Sequence, residues 1–333
     1  MGRPPLQVQE GNLAAVLEAA VQAAARGSRA TLAVVVDTEG STYSRAGAAV
    51  LFSDDGQVGW LSGGCLEPEI EQRALQAADN ACIDWMEIDT RDDAALFSGS
   101  AVGCRGCQRI VLLPLAMLHG AAALFLGWLR GEGALRLSVD GGGTVQLQGS
   151  GDALRWSLPA ATTRAEAWLV AGEGWTLQWR RRPQVLLIGA GPEAAPLWAG
   201  LHGLGWRVHV HEQRPAWRTR CTLAAAIDDV PLAQRLHALP QLEAALVMQH
   251  NFELDRDALE LLADTAIPFV GLLGPARRRE DLFTLLPDSS RSALRPRLRS
   301  PIGLDLGGRG PEAIALCIAA QLQAWRNGKL LDR

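Results

Sequence analysis

The sequence predicts an α/β protein in which an N-terminal mixed α/β domain precedes a C-terminal Rossmann-type domain with a doubly wound parallel sheet. The chain has 333 residues, the length of about two domains. Short β-branched runs separated by turns fill its first part, whereas strands and helices alternate regularly after residue 183. We therefore expect domains at 1–120 and 183–333, joined by a peripheral linking segment at 121–182.

The composition is that of an ordinary globular protein. Hydrophobic residues make up 48% and charged residues 20%, and 32 Lys and Arg against 36 Asp and Glu give a net charge of −4. Because this balance gives no overall attraction to nucleic acid or to an anionic membrane, neither is an expected partner. The N-terminus lacks the apolar segment of a signal peptide, so we expect a cytoplasmic protein whose six cysteines form no disulfide framework.

One uncharged stretch, 110–129, has the length of a membrane-spanning helix. The residues ahead of Pro114 are Ile, Val and Leu, and glycines follow at positions 120 and 127. We therefore predict a strand that ends near Pro114 and then a buried helix.

The first domain is predicted to begin with a helix over 12–26, because apolar residues recur on one face and Gly27 follows. The run ATLAVVVD at 30–37 predicts a strand buried on both faces. Further strands are expected at 48–53, 58–61, 83–88 and 109–113, with a helix at 66–78.

The pattern from 121 to 182 is weaker. Glycines at 141–143 and 149–151 predict hairpin turns between short strands. The tryptophans of this segment are expected to be core and surface residues, with a binding platform as the alternative. The charged run 180–182, followed by Pro183, marks the expected domain boundary.

The second domain is predicted from its alternating pattern. Strands are expected at 184–189, 207–211, 244–249 and 269–272, and helices at 193–204, 255–264, 277–285 and 311–327. Such alternation predicts a parallel sheet covered by helices on both faces.

A glycine turn joins the first strand and helix of that domain. Gly189, Gly191 and Ala194 fit the G-x-G-x-x-G/A pattern, in which the glycines allow a tight turn and a close approach to a diphosphate. Glu212 ends the next strand, where an acid can accept a ribose hydroxyl. NAD is one predicted ligand, and a different ligand on the same fold is the alternative, since Pro192 removes one N–H from the turn.

Two cysteine positions are candidates for chemistry. Cys65 follows Gly63 and Gly64 at a predicted helix start. Because a helix start lowers the pKa of a thiol, Cys65 is a candidate nucleophile or soft-metal ligand. The alternative is that its side chain only packs in the core. Cys104 and Cys107 form a C-x-x-C pair. The pair is a candidate either for redox chemistry or for contact with a soft metal. No second pair follows at zinc spacing, so a structural zinc is not expected.

Charged residues follow the later strands of the second domain. Arg277 and Arg278 open a helix after a strand, where guanidinium groups suit phosphate and a solvated helix start is the alternative. His250 follows the strand at 244–249, and Asp305 lies in the loop 301–308. We expect both at the carboxyl edge of the sheet, with a general-acid role for His250 left open.

Two separated blocks together resemble the xanthine dehydrogenase accessory factors of the XdhC/CoxI family. The likeness covers roughly 10–115 and 184–327, and its most specific part is Ser-Gly-Gly-Cys-Leu-Glu at 62–67. The other matching blocks are Gly-Ser-Thr at 40–42 with Arg45 and Gly47, Gly-Cys at 103–104, Leu-Leu-Ile-Gly-Ala-Gly-Pro at 186–192, Gly-Leu-Leu-Gly at 271–274, and Pro-Ile-Gly-Leu-Asp-Leu-Gly at 301–307. Tyr43-Ser44 and Arg105-Gly106-Cys107 depart from the family's usual residues.

The resemblance implies a chaperone, rather than a turnover enzyme, that binds molybdenum cofactor in its molybdopterin or dinucleotide form. Such a chaperone assists sulfuration and delivers the cofactor to an apo molybdo-hydroxylase of the xanthine dehydrogenase class, with sulfur supplied by a cysteine desulfurase. It implies Cys65 and Cys104 as the residues that contact molybdenum or transfer sulfur.

The resemblance also implies that Arg45 and the turn from Gly189 to Gly191 meet the phosphate or dinucleotide end of the cofactor. Together with the residues chosen by their positions in the predicted elements, the expected cofactor-binding residues are Ser41, Arg45, Gly63, Gly64 and Glu67 in the first domain, and Gly189, Gly191, Glu212, His250, Arg277, Arg278 and Asp305 in the second. A homodimer is the default expectation. The alternatives are an NAD(P)-dependent oxidoreductase that uses the second domain and a zinc- or redox-sensing regulator that uses Cys104 and Cys107.

Overall fold

The computed structural model describes residues 6–8, 12–64, 66–91, 105–161, 168–169, 174–221, 223, 227 and 230–329. The chain divides into two compact units, Met1–Arg182 and Pro183–Arg333. None of the helices within the described ranges is long and apolar enough to cross a membrane.

The first unit contains an antiparallel sheet covered by one helix on each face. Its strands are β2 (Ala30–Gly40), β3 (Ala49–Ser53), β4 (Gly56–Val58), β5 (Asp84–Asp89) and β6 (Gly106–Pro114), in the order β4-β3-β2-β6-β5. Helices α1 (Leu13–Arg26) and α2 (Glu67–Asn80) pack on opposite faces, because successive residues of β2 point to opposite sides. Val34 lies in the core with α1, and Val35 in the core with α2.

A second sheet belongs to the same unit. It is formed by β1 (Leu6–Val8), β7 (Leu135–Asp140), β8 (Thr144–Gln148), β9 (Ala153–Ser157) and β10 (Gly174–Trp179), in the order β1-β10-β7-β8-β9. The predicted glycine turns join β7 to β8 and β8 to β9. The segment 121–182, which we expected to link two domains, also contains α3 (Ala121–Leu129), and its apolar side chains share one core with α1.

Three tryptophans of this segment, Trp128, Trp175 and Trp179, are buried, whereas Trp156 and Trp168 are half-buried. Trp175 lies 5.2 Å from Trp85 between ring centroids, and the Trp179 indole N–H donates to the carbonyl of Gly47 at 2.8 Å. Both side chains are buried, so they contribute to packing rather than to a binding platform.

The second unit has the predicted parallel sheet, which confirms the fold class. Its strands are β11 (Gln184–Ile188), β12 (Arg207–His211), β13 (Ala244–Val247), β14 (Phe269–Leu272) and β15 (Leu298–Arg299), in the order β12-β11-β13-β14-β15. The first strand, β11, is buried along its whole length, as expected for a strand covered on both faces.

Helices cover both faces of this sheet. The helices are α4 (Ala194–Gly203), α5 (Pro215–Arg220), α6 (Leu232–Ala238), α7 (Phe252–Ala263), α8 (Ala276–Leu285), α9 (Asp288–Leu294) and α10 (Pro311–Arg326). Residues of α4 and α10 pack on one face, and residues of α6, α7, α8 and α9 pack on the other. The pattern analysis missed α5, α6, α9 and β15, which are too short to show a clear period.

Candidate functional site

Two loops of the first unit meet at one end of the sheet, where β2 ends and β6 begins. Ser41 donates its backbone N–H to the carbonyl of Arg105 at 3.2 Å. Gly106 is required by this contact, because a Cβ there would lie 2.3 Å from the carbonyl oxygen of Ser41. Gly40 has φ +72°, a left-handed conformation that favours glycine. The loop after β2 is thus joined to the residue that follows Cys104.

A third loop, between β4 and α2, is joined to the same place. The buried hydroxyl of Ser44 donates to the carbonyl of Leu61 at 2.8 Å. The amide of Gln108 donates to the Ser44 carbonyl at 2.9 Å and to the Leu61 carbonyl at 3.3 Å. Gln108 on β6 therefore connects the two loops that carry the Gly40 and Ser62 blocks.

The Ser62 loop is organised by the carboxylate of Glu67. Glu67 is buried and accepts hydrogen bonds from the backbone N–H groups of Leu61 at 3.2 Å, Ser62 at 2.6 Å and Gly64 at 3.0 Å, and from the Ser62 hydroxyl. Burial alone would raise the pKa of Glu67, but the hydrogen bonds from Ser62 and Leu61 outweigh it and lower the pKa. The Ser62 hydroxyl in turn accepts the N–H of Leu66 at 3.2 Å.

The sequence reasoning predicted that Glu67 binds the cofactor. The structure shows a carboxylate that holds its own loop, with hydrogen bonds fixing the residues on both sides of Cys65. The sequence contained a signal for this role, namely a glutamate at the start of a predicted helix. A carboxylate at that position can accept hydrogen bonds from the free N–H groups that precede it.

Several predicted residues lie on the outer surface of these loops. Ser41, Arg45, Gly63 and Gly64 are all exposed. Cys65 and Cys104 lie outside the described residues, so their catalytic and metal-contact roles stay predictions. Their described neighbours Gly64, Leu66 and Arg105 are all on the joined loops.

Two large aromatic side chains flank the same loops, and the sequence analysis gave neither of them a binding role. Tyr43 is 61% exposed and Trp60 is 59% exposed. The Tyr43 ring lies beside Gly63, whose Cβ would be 3.8 Å from it. Exposed rings of this kind are suited to stack on a flat ligand or to contact a protein partner.

Cys107 is a buried thiol rather than an accessible one. Burial, together with the carboxylates of Glu87 and Asp89, raises its pKa to about 12, although Arg109 acts in the opposite direction. A thiol with this pKa is protonated at neutral pH and is a poor nucleophile. Burial of the Cys107 thiol therefore does not favour a reactive pair with Cys104.

The glycine turn of the second unit has the predicted strand–turn–helix form. Gly189 has φ +118°, and a Cβ there would lie 2.6 Å from the carbonyl oxygen of Met248. Its N–H donates to the carbonyl of His211 at 2.8 Å, and Ala194 is buried at the third position of the pattern. Close packing within the domain therefore accounts for a glycine at position 189 and an alanine at position 194.

The acid at the end of the second strand is engaged by its own chain. Glu212 is fully buried and accepts the N–H of Ala190 at 2.8 Å, while both of its oxygens accept hydrogen bonds from Arg214. Burial acts to raise the pKa of Glu212, but Arg214 and Ala190 outweigh it and lower the pKa. Arg214 therefore covers the carboxylate that would otherwise accept a ribose hydroxyl. Its position two residues after the acid was the signal that the sequence analysis missed.

A second carboxylate lies directly at the turn. Glu193 is buried, and its Oε2 is 3.0 Å from Nε2 of His250. A Cβ on Gly191 would meet both side chains at 3.2 to 3.4 Å. Because the paired side chains of Glu193 and His250 occupy the space beside the turn, and because Arg214 covers Glu212, the residues present do not fit NAD(P) in its usual position.

The predicted arginines of α8 have separate surroundings. Arg277 is exposed at the start of the helix. Arg278 pairs with the buried carboxylate of Asp255 at 2.7 Å, so it contributes to a structural ion pair. Burial raises the pKa of Asp255, although Arg278 opposes this effect. Asp305 lies elsewhere, in the wall of a cavity beyond β14 and β15.

Within the described ranges, no group of three or more His, Cys, Asp and Glu side chains is arranged to hold a metal ion. In the first unit, hydrogen bonds join three loops, two of which carry the Gly40 and Ser62 blocks. The second unit is a parallel sheet with a glycine turn after β11. These features define the class, which is an α/β protein with a C-terminal Rossmann domain.

Two family models match the chain. The XdhC and CoxI family model matches residues 17–83, and the XdhC Rossmann domain model matches residues 185–322. The chain belongs to the XdhC and CoxI family, which confirms the predicted resemblance.

A curated relative and a solved structure agree with this assignment. The chain is 26% identical over 319 residues to a probable xanthine dehydrogenase subunit from Bacillus subtilis, covering 88% of this chain and 92% of the relative. It also resembles a crystal structure described as a xanthine dehydrogenase from Bacillus halodurans. The TM-score is 0.75 at 23% identity, covering 95% of this chain and 97% of the other, and this likeness concerns the fold.

Proposed function

We propose that this protein binds molybdenum cofactor and assists its sulfuration and insertion into a molybdo-hydroxylase of the xanthine dehydrogenase class. Family membership supports a connection with xanthine dehydrogenase, and a relative bears the name of a probable subunit of that enzyme. The single observation that carries the proposal is the joining of the loops that contain Gly64, Leu66 and Arg105, the described neighbours of Cys65 and Cys104 in the sequence. Hydrogen bonds fix Gly64 and Leu66, while Ser41 holds Arg105.

Each group on these loops has a role in the proposal. Cys65 and Cys104 would meet the molybdenum head, because thiolates are soft ligands. The exposed rings of Tyr43 and Trp60 are suited to contact the flat pterin, and the exposed guanidinium of Arg45 is suited to its anionic groups. Glu67 would act as a positioning residue, since its hydrogen bonds set the backbone on each side of Cys65.

The proposal also covers partners. A cysteine desulfurase would be the source of sulfur for the cofactor, and an apo molybdo-hydroxylase would receive the sulfurated cofactor. A homodimer in the cytoplasm is the proposed state of the chaperone. No step of this proposal uses NAD(P), because Arg214 covers Glu212 and the carboxylate of Glu193 lies at the glycine turn.

The test is anaerobic purification from cells that make molybdenum cofactor, followed by metal analysis and fluorescence of the oxidised pterin. We expect stoichiometric molybdenum and pterin on the native chain and their loss in Cys65→Ser. The matched control is Cys221→Ser, which changes a half-buried cysteine packed in the second unit. Equal loading and equal client activation by Cys65→Ser would remove Cys65 from the proposal. Absence of both molybdenum and pterin from the native chain would overturn the proposed function.

A further inference from the structure

A cavity of about 1050 Å³ lies in the second unit, beyond the carboxyl ends of β14 and β15. One wall is the loop 300–308, which hydrogen bonds hold against α10. Gly303 donates its N–H to Oε1 of Gln321 at 2.8 Å, and Leu304 donates its N–H to the carbonyl of Cys317 at 3.1 Å. These hydrogen bonds to α10 therefore hold the loop in place as a fixed wall of the cavity.

The cavity is separate from the glycine turn. The turn follows β11, and β13 and β14 lie between β11 and β15 in the sheet. Ligands of open α/β sheets bind beyond the carboxyl ends of strands, which is where this cavity opens. Neither Gly189 nor Gly191 lines it.

The charge of the lining favours an anion. Four of the residues lining it are basic, namely Arg279, Arg295, Arg299 and Lys329, whereas Asp305 is its one acidic residue within the described part of the chain. Arg279 is oriented by a hydrogen bond to the carbonyl of Ser300 at 2.9 Å. Guanidinium groups fixed in this way suit the planar donor pattern that phosphate oxygens accept.

The remaining lining is suited to an organic ligand. Leu298, Ile302 and Ile314 provide apolar surface.

We propose that this cavity binds a nucleoside phosphate. Arg279 and Arg295 would hold the phosphate, and the apolar wall would contact the base. The volume is about the size of known ligand sites. The occupant is a free nucleotide or the nucleotide end of a dinucleotide form of the cofactor, and only the second case rests on the proposed function.

The test is calorimetric titration of the full chain with CMP, GMP, AMP and, separately, inorganic phosphate. We expect one or more of the mononucleotides to bind more tightly than inorganic phosphate. Arg295→Gln should weaken that binding by roughly tenfold, because it removes a charged donor. Arg295 is exposed, so its replacement is expected to leave the fold intact, and matching thermal unfolding of the variant verifies this.

The matched control is Arg256→Gln, which changes an arginine of α7 that pairs with Asp257 and does not line the cavity. It should leave nucleotide affinity unchanged. No nucleotide binding at millimolar concentration, or equal affinity in Arg295→Gln, would overturn the inference. Because this readout uses neither molybdenum nor a client enzyme, its failure is distinct from failure of the proposed function.

A competition experiment separates the two sources of the ligand. The mononucleotide that binds most tightly is added to chain that carries co-purified pterin. Displacement of pterin identifies the cofactor's nucleotide end as the occupant, whereas retention of pterin together with nucleotide binding identifies a free nucleotide.

Discussion

The carboxylate of Glu67 accepts the backbone N–H of Ser62 at 2.6 Å, and the Ser62 hydroxyl accepts the N–H of Leu66 at 3.2 Å. This relationship closes the Ser62 loop on the first turn of α2. Glu67, which the sequence analysis proposed as a ligand of the cofactor, also shapes the loop that carries the Ser62 block.

Glu67→Gln should destabilise the first unit by about 2 kcal/mol, because a neutral amide cannot accept all the N–H groups that the carboxylate accepts. Since the pKa of Glu67 is lowered on folding, its contribution is fully present above pH 4.5 and is lost as pH falls through the folded-state pKa. The measurement is urea unfolding at pH 7 and at low pH. Glu69→Gln, on the exposed side of α2, is the control and should change little.

The buried thiol of Cys107 should make the first unit sensitive to alkali. Its pKa is raised to about 12 from 9.0. The contribution of the neutral thiol to the free energy of unfolding is therefore fully present below pH 9 and is lost as pH rises toward 12. The free energy of unfolding should therefore fall with pH more steeply in the native chain than in Cys107→Ser, by up to about 1.4 kcal/mol per pH unit. Parallel curves for the two proteins would contradict the burial of this thiol.

Gly106→Ala should separate the loops after β2 and before β6. The new Cβ would lie 2.3 Å from the carbonyl oxygen of Ser41, and a backbone oxygen cannot move aside without moving the loop. We expect a loss of about 2 kcal/mol in the free energy of unfolding. The comparison is Gly63→Ala at the same site, whose Cβ would make an ordinary contact with Tyr43 at 3.8 Å and should change stability by less than about 0.5 kcal/mol.

Arg214→Met should destabilise the second unit by about 3 kcal/mol at pH 7, because it leaves the buried carboxylate of Glu212 with backbone donors alone. The folded-state pKa of Glu212 is lowered in the native chain, so this pair stabilises the fold above the ordinary carboxyl pKa. The difference between variant and native chain should shrink as pH falls below about 4. Urea unfolding across pH measures it, with Arg220→Met at the far end of α5 as the control.

Sequence patterns predicted the elements that depend on local periodicity. The strand at 207–211 and the strand at 269–272 were predicted with the bounds that the structure has. The turn at Gly189 was also predictable, because a positive φ next to a buried strand requires glycine. Family membership was predictable as well, since the Ser62 block is a short contiguous motif.

The roles of individual side chains were decided by tertiary structure. Gln108 joins two loops through Ser44, a residue far from it in the sequence, and no local period contains that contact. Glu87 and Asp89 lie close to Cys107 because β5 pairs with β6, and His250 meets Glu193 because β13 ends beside the glycine turn. The sequence by itself determined the fold class and the motif-bearing loops, whereas burial and hydrogen bonding between distant residues decided which of their charged groups face a ligand and which hold the protein together.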